Sequence, residues 1–187
     1  MRVFDFDNTI YDGESVIDFY IFSIKYNPRV IKYAFIVFYN ALKYKLGKTT
    51  MESLEKVISR YAEGYLTSLP DINSIVKAFW DKNMKKIKPW YKPQSDDVIL
   101  TASFNVTMDE AFRRLGLEKS VCSVFDMDTM KTVYLNFSDN KPARFRQLFG
   151  ENVFPDEFYT DSEFDTPMID ISKSAYVVKK NKITRIK

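Results

Sequence analysis

Two aspartates, one residue apart, close the first apolar run of the chain: Val3, Phe4 and Phe6 surround Asp5, and Asp7 follows. A carboxylate in a buried strand is costly unless it is paired or holds a cation. On an extended chain, positions i and i+2 face the same way, so Asp5 and Asp7 can converge on one ligand. Three later segments supply partners: Val98-Ile99-Leu100 ends in Thr101, Lys141 opens a helical stretch, and Phe158-Tyr159-Thr160 runs into Asp161, with Asp165 close behind. Asp5, Asp7 and Asp161 offer oxygen ligands of the kind that a small hard cation such as Mg2+ prefers. A carboxylate can also attack phosphorus as a nucleophile. A second carboxyl can protonate the leaving alkoxide and then activate water. Asp5 and Asp7 can divide the work in that way.

Repulsion opposes such chemistry. Each pair of unit charges about 4 Å apart costs roughly 1 kcal/mol in water and roughly 4 near a protein surface. A divalent cation and a lysine offset it. Lys141 starts the helix that precedes the Asp161 strand; Arg144 and Lys173 are its rivals. The Thr101 hydroxyl can donate to a phosphoryl oxygen.

Composition removes most other chemistries. The 187 residues contain no histidine, which excludes Ser-His-Asp triads, phosphohistidine and His-ligated zinc. The single cysteine, Cys122, lies in the apolar run 121–125 and reads as a buried strand residue. Five glycines form neither a dinucleotide-binding nor a Walker fingerprint. A net charge of +3 suits anionic substrates without arguing for nucleic acid. Met1 runs almost directly into Val3-Phe4-Asp5-Phe6, leaving no room for a leader peptide. The uncharged stretch from Tyr33 to Leu42 is too short to span a bilayer. A cytoplasmic location without stable membrane association is expected.

The elements that must position these residues follow from periodicity. From about Ser15 to Trp90, apolar residues recur at helical spacing, as in Val16, Phe19, Tyr20 and Ile24. Gly47 and Gly64 read as helix ends, Pro28 and Pro70 as breaks or starts. Three to five helices are predicted here, with 88–93 as the return linker. Beyond it, strands at 98–101, 121–125, 132–135, 158–160, 175–178 and 183–186 alternate with helices at 107–115 and 142–149; the second and third pair as a hairpin around 126–131. The pattern predicts an α/β fold, a Rossmann-like parallel sheet core with an inserted all-α domain. Ligands of such sheets bind beyond the carboxyl ends of the strands, where Asp5, Asp7, Thr101 and Asp161 all fall.

The chain resembles the haloacid dehalogenase superfamily, in its phosphoserine-phosphatase-like branch. Asp5-Phe6-Asp7-Asn8-Thr9 is similar to the D-x-D-x-[TV] first motif, Val98 to Thr101 to the second, Lys141 to the third-motif lysine, and Asp161-Ser162-Glu163-Phe164-Asp165 to the acidic fourth. The resemblance implies a helical cap over 14–91 and a core over 1–13 and 92–187. It implies an aspartyl-phosphate on Asp5, with Asp7 as acid/base and Thr101 and Lys141 holding the phosphoryl group. Mg2+ would be held by Asp5, the Asp7 carbonyl and Asp161, with Asp165 in support, and the substrate would be a small phosphorylated metabolite. Asp7 favours phosphoryl transfer, because dehalogenases of the superfamily lack it. Thr101-Ala102-Ser103 replaces the usual Ser-Gly-Gly, which leaves Thr101 and Ser103 as alternatives for the second-motif hydroxyl. Glu14 falls where the branch recognises a substrate amine; Arg60 is out of register for the substrate carboxylate.

Each residue has a plainer reading: Asp161 and Asp165 as helix caps, Lys141 as a surface lysine, Thr101 as a strand terminus, Glu14 as a first-turn acid. The aromatic run from Phe19 to Tyr44 is expected to fill the interior of the helical insert and its seam with the core. Its sharper alternative is a greasy surface lying on a membrane, with Lys25, Arg29, Lys32 and Lys43 toward headgroups. A phosphotransferase using the same intermediate and a silent binding module are the functional alternatives.

Overall fold

A computed structural model describes residues 1–136, 140–162 and 165–187, so Glu163 and Phe164 of the fourth motif lie outside the described residues. Seven strands form one sheet: β1 (Arg2–Phe4), β2 (Val98–Phe104), β3 (Lys119–Asp126), β4 (Lys131–Tyr134), β5 (Glu157–Thr160), β6 (Ser174–Lys179) and β7 (Lys182–Arg185). Their order is β4-β3-β2-β1-β5-β6-β7. β3, β2, β1, β5 and β6 run parallel; β4 and β7 close the edges as antiparallel hairpin strands. The predicted strands and the hairpin around 126–131 are all present.

β1 is central, and its alternation sorts the core. Val3 packs with Val98, Leu100, Val121, Phe145, Phe158 and Met168. Phe4 and Phe6 belong to the other cluster, with Ile99, Phe125, Met108 and Phe112. The period of two thus fixes which face each residue meets. Helix α6 (Asn140–Phe149) and the six-residue α7 (Thr166–Ile171) contribute Phe145 and Met168 to the Val3 face; α5 (Asn105–Leu115) contributes Met108 and Phe112 to the other. α5 ends at Gly116, whose φ of 69° is the left-handed cap that glycine adopts without strain.

Between β1 and β2 stand four α-helices: α1 (Ser15–Ser23), α2 (Ile31–Lys45), α3 (Met51–Thr67) and α4 (Ile72–Asn83). α3 is capped by Thr50, whose side chain accepts from Ser53 N–H, and α4 by Asp71, which accepts from Ser74 N–H. Phe79 and Trp80 of α4 join Phe6, Tyr11 and Phe112 in one continuous cluster, and Trp80 Nε1 donates to the Thr107 carbonyl at 2.7 Å. On its other side the helical segment meets the β3–β4 hairpin through polar contacts. Glu63 accepts from Thr132 N–H at 3.0 Å and pairs with Lys131 at 3.1 Å.

Two expectations are corrected. Gly64 does not end a helix but lies inside α3, because the Tyr33 ring presses against it: a Cβ there would meet Tyr33 Oη at 3.1 Å. The aromatic run does not all turn inward. Phe19 is buried, and Tyr20, Phe22 and Tyr33 pack on the core, but Phe35, Phe38 and Tyr39 face solvent. The other side of α2 is turned to α3, where Tyr33 packs on Gly64.

Candidate active site

The chain steps outward from β1 through β2 and β3 on one side, and through β5 and β6 on the other. The strand order therefore reverses between β1 and β5, and the crevice beyond their carboxyl ends is the natural ligand site of such a sheet. Asp5 directly follows β1, and Asp161 directly follows β5. Asp5 N–H donates to the Tyr159 carbonyl at 2.8 Å, which ties the two strand ends together.

Asp5 shares the parity of Val3 and so faces α6. Lys141, in the first turn of α6, reaches back with Nζ 3.2 Å from Asp5 Oδ1 and 3.1 Å from Asp165 Oδ1. Both Asp5 and Lys141 are buried. Burial pushes the Asp5 carboxyl up to about 7; Lys141 opposes the rise, and Asp165, Asp7 and Asp161 add to it. Burial disfavours the Lys141 ammonium, but Asp5 and Asp165 outweigh it and hold the group charged above its ordinary range. Neither Arg144 nor Lys173 takes this place: Arg144 binds Gln147, and Lys173 binds Asp156. Asp165 is fixed a second time by Thr160 Oγ1, which donates to Oδ2 at 2.7 Å. Asp165 is the N-cap residue of α7, yet its side chain makes no capping bond, because Lys141 and Thr160 hold it instead.

The Asp7 carboxylate is turned differently. It accepts from Ser15 N–H at 2.6 Å and from Ser103 Oγ at 3.2 Å. Burial raises its pKa while the Ser15 and Ser103 hydrogen bonds lower it. Asp161 is likewise raised by burial and by Asp165, with Lys141 and Lys88 opposing. Thr101 does not end its strand as expected: β2 runs on to Phe104 past an irregularity after Leu100, and Thr101 is buried within it, its hydroxyl accepting from Ser103 N–H at 3.1 Å. Of the two candidate hydroxyls, Ser103 is thus the one that touches Asp7, while Thr101 fixes the Ser103 backbone within β2. Glu14 accepts from Asn8 Nδ2 at 2.5 Å, and burial raises its carboxyl. Arg60 stands apart from the carboxylates, lining a groove of ≈ 490 Å3 between α3 and β4 that reaches Asn140.

Three residues escaped the sequence reading. Asn8 takes φ 55°, a left-handed turn that asparagine tolerates, and its carbonyl accepts from the buried Lys88 Nζ. Lys88 also feels Asp12 and Asp161, which oppose the downward pull of burial on its pKa. Its position in the return linker gave no periodic signal. Asn136 is wholly buried and donates Nδ2 to the Thr101 and Val121 carbonyls at 2.9 and 2.8 Å, joining β2 and β3 where their pairing shifts register after Leu100. An isolated asparagine before a helix carries no such message in sequence.

Among the described residues, no three acidic, cysteine or histidine side chains close a ready-made metal cage. Mg2+ does not require one, since it takes one or two carboxylates and keeps water and phosphate oxygens for the rest. The donor chemistry fits: four aspartates crowd together beside the Lys141 ammonium, and neighbouring carboxylates add to the raised pKa of Asp5, Asp7 and Asp161.

The sheet is doubly wound, with paired carboxylates and a lysine at its switch point. The haloacid dehalogenase-like hydrolase family matches residues 3–170, and the chain belongs to that family. Among solved structures, it is similar to a HAD family hydrolase from Salmonella enterica serovar Typhi, with a TM-score of 0.60 and 16% identity over 91% of this chain and 59% of that one. A phosphoserine phosphohydrolase-like protein from Francisella tularensis gives 0.54 and 13%, over 93% of this chain and 84% of that one. A probable phosphoserine phosphatase from Vibrio cholerae gives 0.51 and 12%, over 93% and 55%. At these identities the likeness is one of fold. None of the curated proteins compared with the chain matches it significantly.

Proposed function

We propose that the chain hydrolyses a small phosphomonoester with Mg2+, through an aspartyl-phosphate on Asp5. One observation carries this reading: Lys141 bridges Asp5 and Asp165 while the neighbouring Asp7 carboxyl is held apart by Ser15 and Ser103. Two carboxyls with different partners are suited to different roles.

Asp5 attacks phosphorus, the P–O bond to the alcohol breaks, and the buried Asp7 carboxyl gives the leaving oxygen its proton. Asp7 then takes a proton from water, which attacks the aspartyl-phosphate and releases phosphate. Lys141 and the Thr101 hydroxyl hold the phosphoryl oxygens, and Ser103 aims Asp7. Mg2+ would be held by the Asp5 carboxylate, the Asp7 carbonyl and Asp161, with Asp165 in support; it supplies positive charge against the phosphoryl oxygens. In this reading residues 14–91 form a cap over a core of 1–13 and 92–187. Its polar contact with the β3–β4 hairpin through Glu63 is the side that opens, and its apolar contact through Phe79 and Trp80 is the side that stays closed. In this reading Glu14, hydrogen-bonded to Asn8 just before α1, meets the substrate's variable part.

The test is hydrolysis of p-nitrophenyl phosphate and of a panel of phosphomonoesters with Mg2+, with EDTA, and with Asp5→Asn. Metal-dependent turnover that falls by roughly a thousandfold or more in Asp5→Asn is the expected result. Absence of turnover over the whole panel, from folded and Mg2+-loaded protein, would sink the proposal.

A further inference from the structure

We infer that the outer face of α2 is a docking surface for an anionic lipid bilayer, on which the protein rests without crossing it. Phe35 and Phe38 are each 71% exposed, Tyr39 57%, Leu42 44% and Leu46 58%. Ile31, also exposed, with Phe35, Phe38, Tyr39 and Leu42 follows the spacing i, i+4, i+7, i+8 and i+11, so these five share one side of the helix, and Leu46 lies just past its end. The inner side is already used: Tyr33 packs its ring on Gly64 of α3, 6.2 Å from Tyr61. Scattered exposed apolar residues are ordinary, but a continuous stripe that includes two fully presented phenylalanines is not.

Charge selects the occupant. From Phe19 to Met51 the sequence holds Lys25, Arg29, Lys32, Lys43, Lys45 and Lys48 and no Asp or Glu, although the chain as a whole is nearly balanced at +3. The lysine stems lie along the aromatic rings: Lys25 Nζ is 3.9 Å from the Phe22 ring centroid, Lys32 Nζ 4.9 Å from Tyr33 and Lys43 Nζ 4.6 Å from Tyr39. Apolar side chains rimmed by ammonium groups and a tyrosine match the acyl–headgroup boundary of an anionic leaflet. A second copy of the chain matches poorly, because a two-fold contact through α2 would set the same cations against each other.

Length sets the mode. The 15 residues of α2 rise about 22 Å, short of the ~30 Å hydrocarbon layer. Among the described residues, no helix is long and apolar enough to cross a membrane. α2 therefore lies in the interface plane. α1 adds exposed Val16, Ile17 and Ile21, directly beyond Ser15, whose N–H holds Asp7.

The experiment is flotation of the full chain with vesicles of phosphatidylcholine alone or mixed with phosphatidylglycerol, for wild type, F35S/F38S and K25E/K32E. Circular dichroism and light scattering accompany each variant. The expected result is flotation with the anionic vesicles only, weakened by salt and reduced about tenfold or more in either folded variant. Three results would overturn the inference. One is no flotation of wild type at any lipid concentration. Another is flotation that both variants retain. The last is a wild-type dimer that F35S/F38S dissociates without any vesicle binding, which would make a second copy the occupant.

Discussion

Lys141 Nζ donates to Asp5 Oδ1 at 3.2 Å from the first turn of α6, 136 residues further along the chain, with both groups buried. The pair sets two carboxylates, Asp5 and Asp165, around one ammonium. Replacing Lys141 by alanine leaves the buried Asp5 and the partly buried Asp165 without their counter-ion, a change that costs about 3–5 kcal/mol in comparable sites. Lys141→Ala is expected to lose stability of that order in urea denaturation and to lose phosphatase activity at the same time. Lys141→Arg, which keeps the charge with a different shape, is expected to recover stability but little turnover. A Lys141→Ala protein as stable as wild type would show that the pair is not coupled to the fold.

The aspartate cluster has a definite pH signature without metal. Burial raises the Asp5 carboxyl from 3.8 to about 7, so the folded chain binds more protons than the unfolded chain between those values. Stability of the EDTA-treated protein is then greatest at the acid end of this window and declines as pH rises toward 7. Mg2+ binds the ionised carboxylate, so the melting-temperature gain on adding it should be larger at pH 7.5 than at pH 5. A thermal melt series with EDTA or Mg2+ reads both signs. An equal Mg2+ gain at the two pH values would remove Asp5 from the metal site.

Ser103 tunes Asp7. Its hydroxyl donates to the Asp7 carboxylate at 3.2 Å and lowers a pKa that burial raises. Ser103→Ala is expected to shift the limb of the pH–rate profile that reports Asp7 deprotonation toward higher pH, because the protonated acid persists further. A loss of kcat on the order of tenfold should accompany it, with KM nearly unchanged. A direct substrate contact would instead raise KM and leave the limb in place.

Much of this arrangement was legible in the residues because burial and periodicity agree. Asp5 breaks an apolar strand, Asp161 ends another, and Lys141 opens a helix, so a parallel sheet must bring all three to one edge. The succession of strands and helices and the hairpin around 126–131 followed from periodicity, whereas the order of the strands across the sheet came only with the structure. What escaped depended on contacts remote in sequence. Gly64 stands inside α3 because of the ring of Tyr33, 31 positions earlier, which no local pattern reveals. Lys88 and Asn136 act on the site through backbone carbonyls, and a lysine or asparagine in a connecting segment looks the same whether buried or free. The direction of the aromatic stripe was the largest surprise. Helical spacing showed that α2 has two sides, but only the packing of Tyr33 on α3 decided that Phe35 and Phe38 lie on the uncovered one.

Arg2 and Asp97 fasten the opposite end of the sheet. Asp97 is fully buried and accepts from Arg2 Nε and Nη2, both at 2.8 Å, from Tyr91 Oη at 3.1 Å and from Gln94 N–H at 3.0 Å. The fork-shaped pair joins the first residue of β1 to the start of β2, where the return linker re-enters the sheet, and the linker carbonyl of Lys92 accepts from Arg2 as well. Removing the guanidinium leaves a buried carboxylate with only neutral donors, so Arg2→Met is expected to cost about 3 kcal/mol. Arg2→Met with Asp97→Leu removes both charges and fills the space, and should cost clearly less than the two single changes added together. Because the pair lies at the amino ends of the strands, away from Asp5, kcat should stay within about twofold of wild type in every folded variant. Chemical denaturation of the four proteins closes the double-mutant cycle. A coupling below about 0.5 kcal/mol would mean that the linker and the sheet meet independently of this pair.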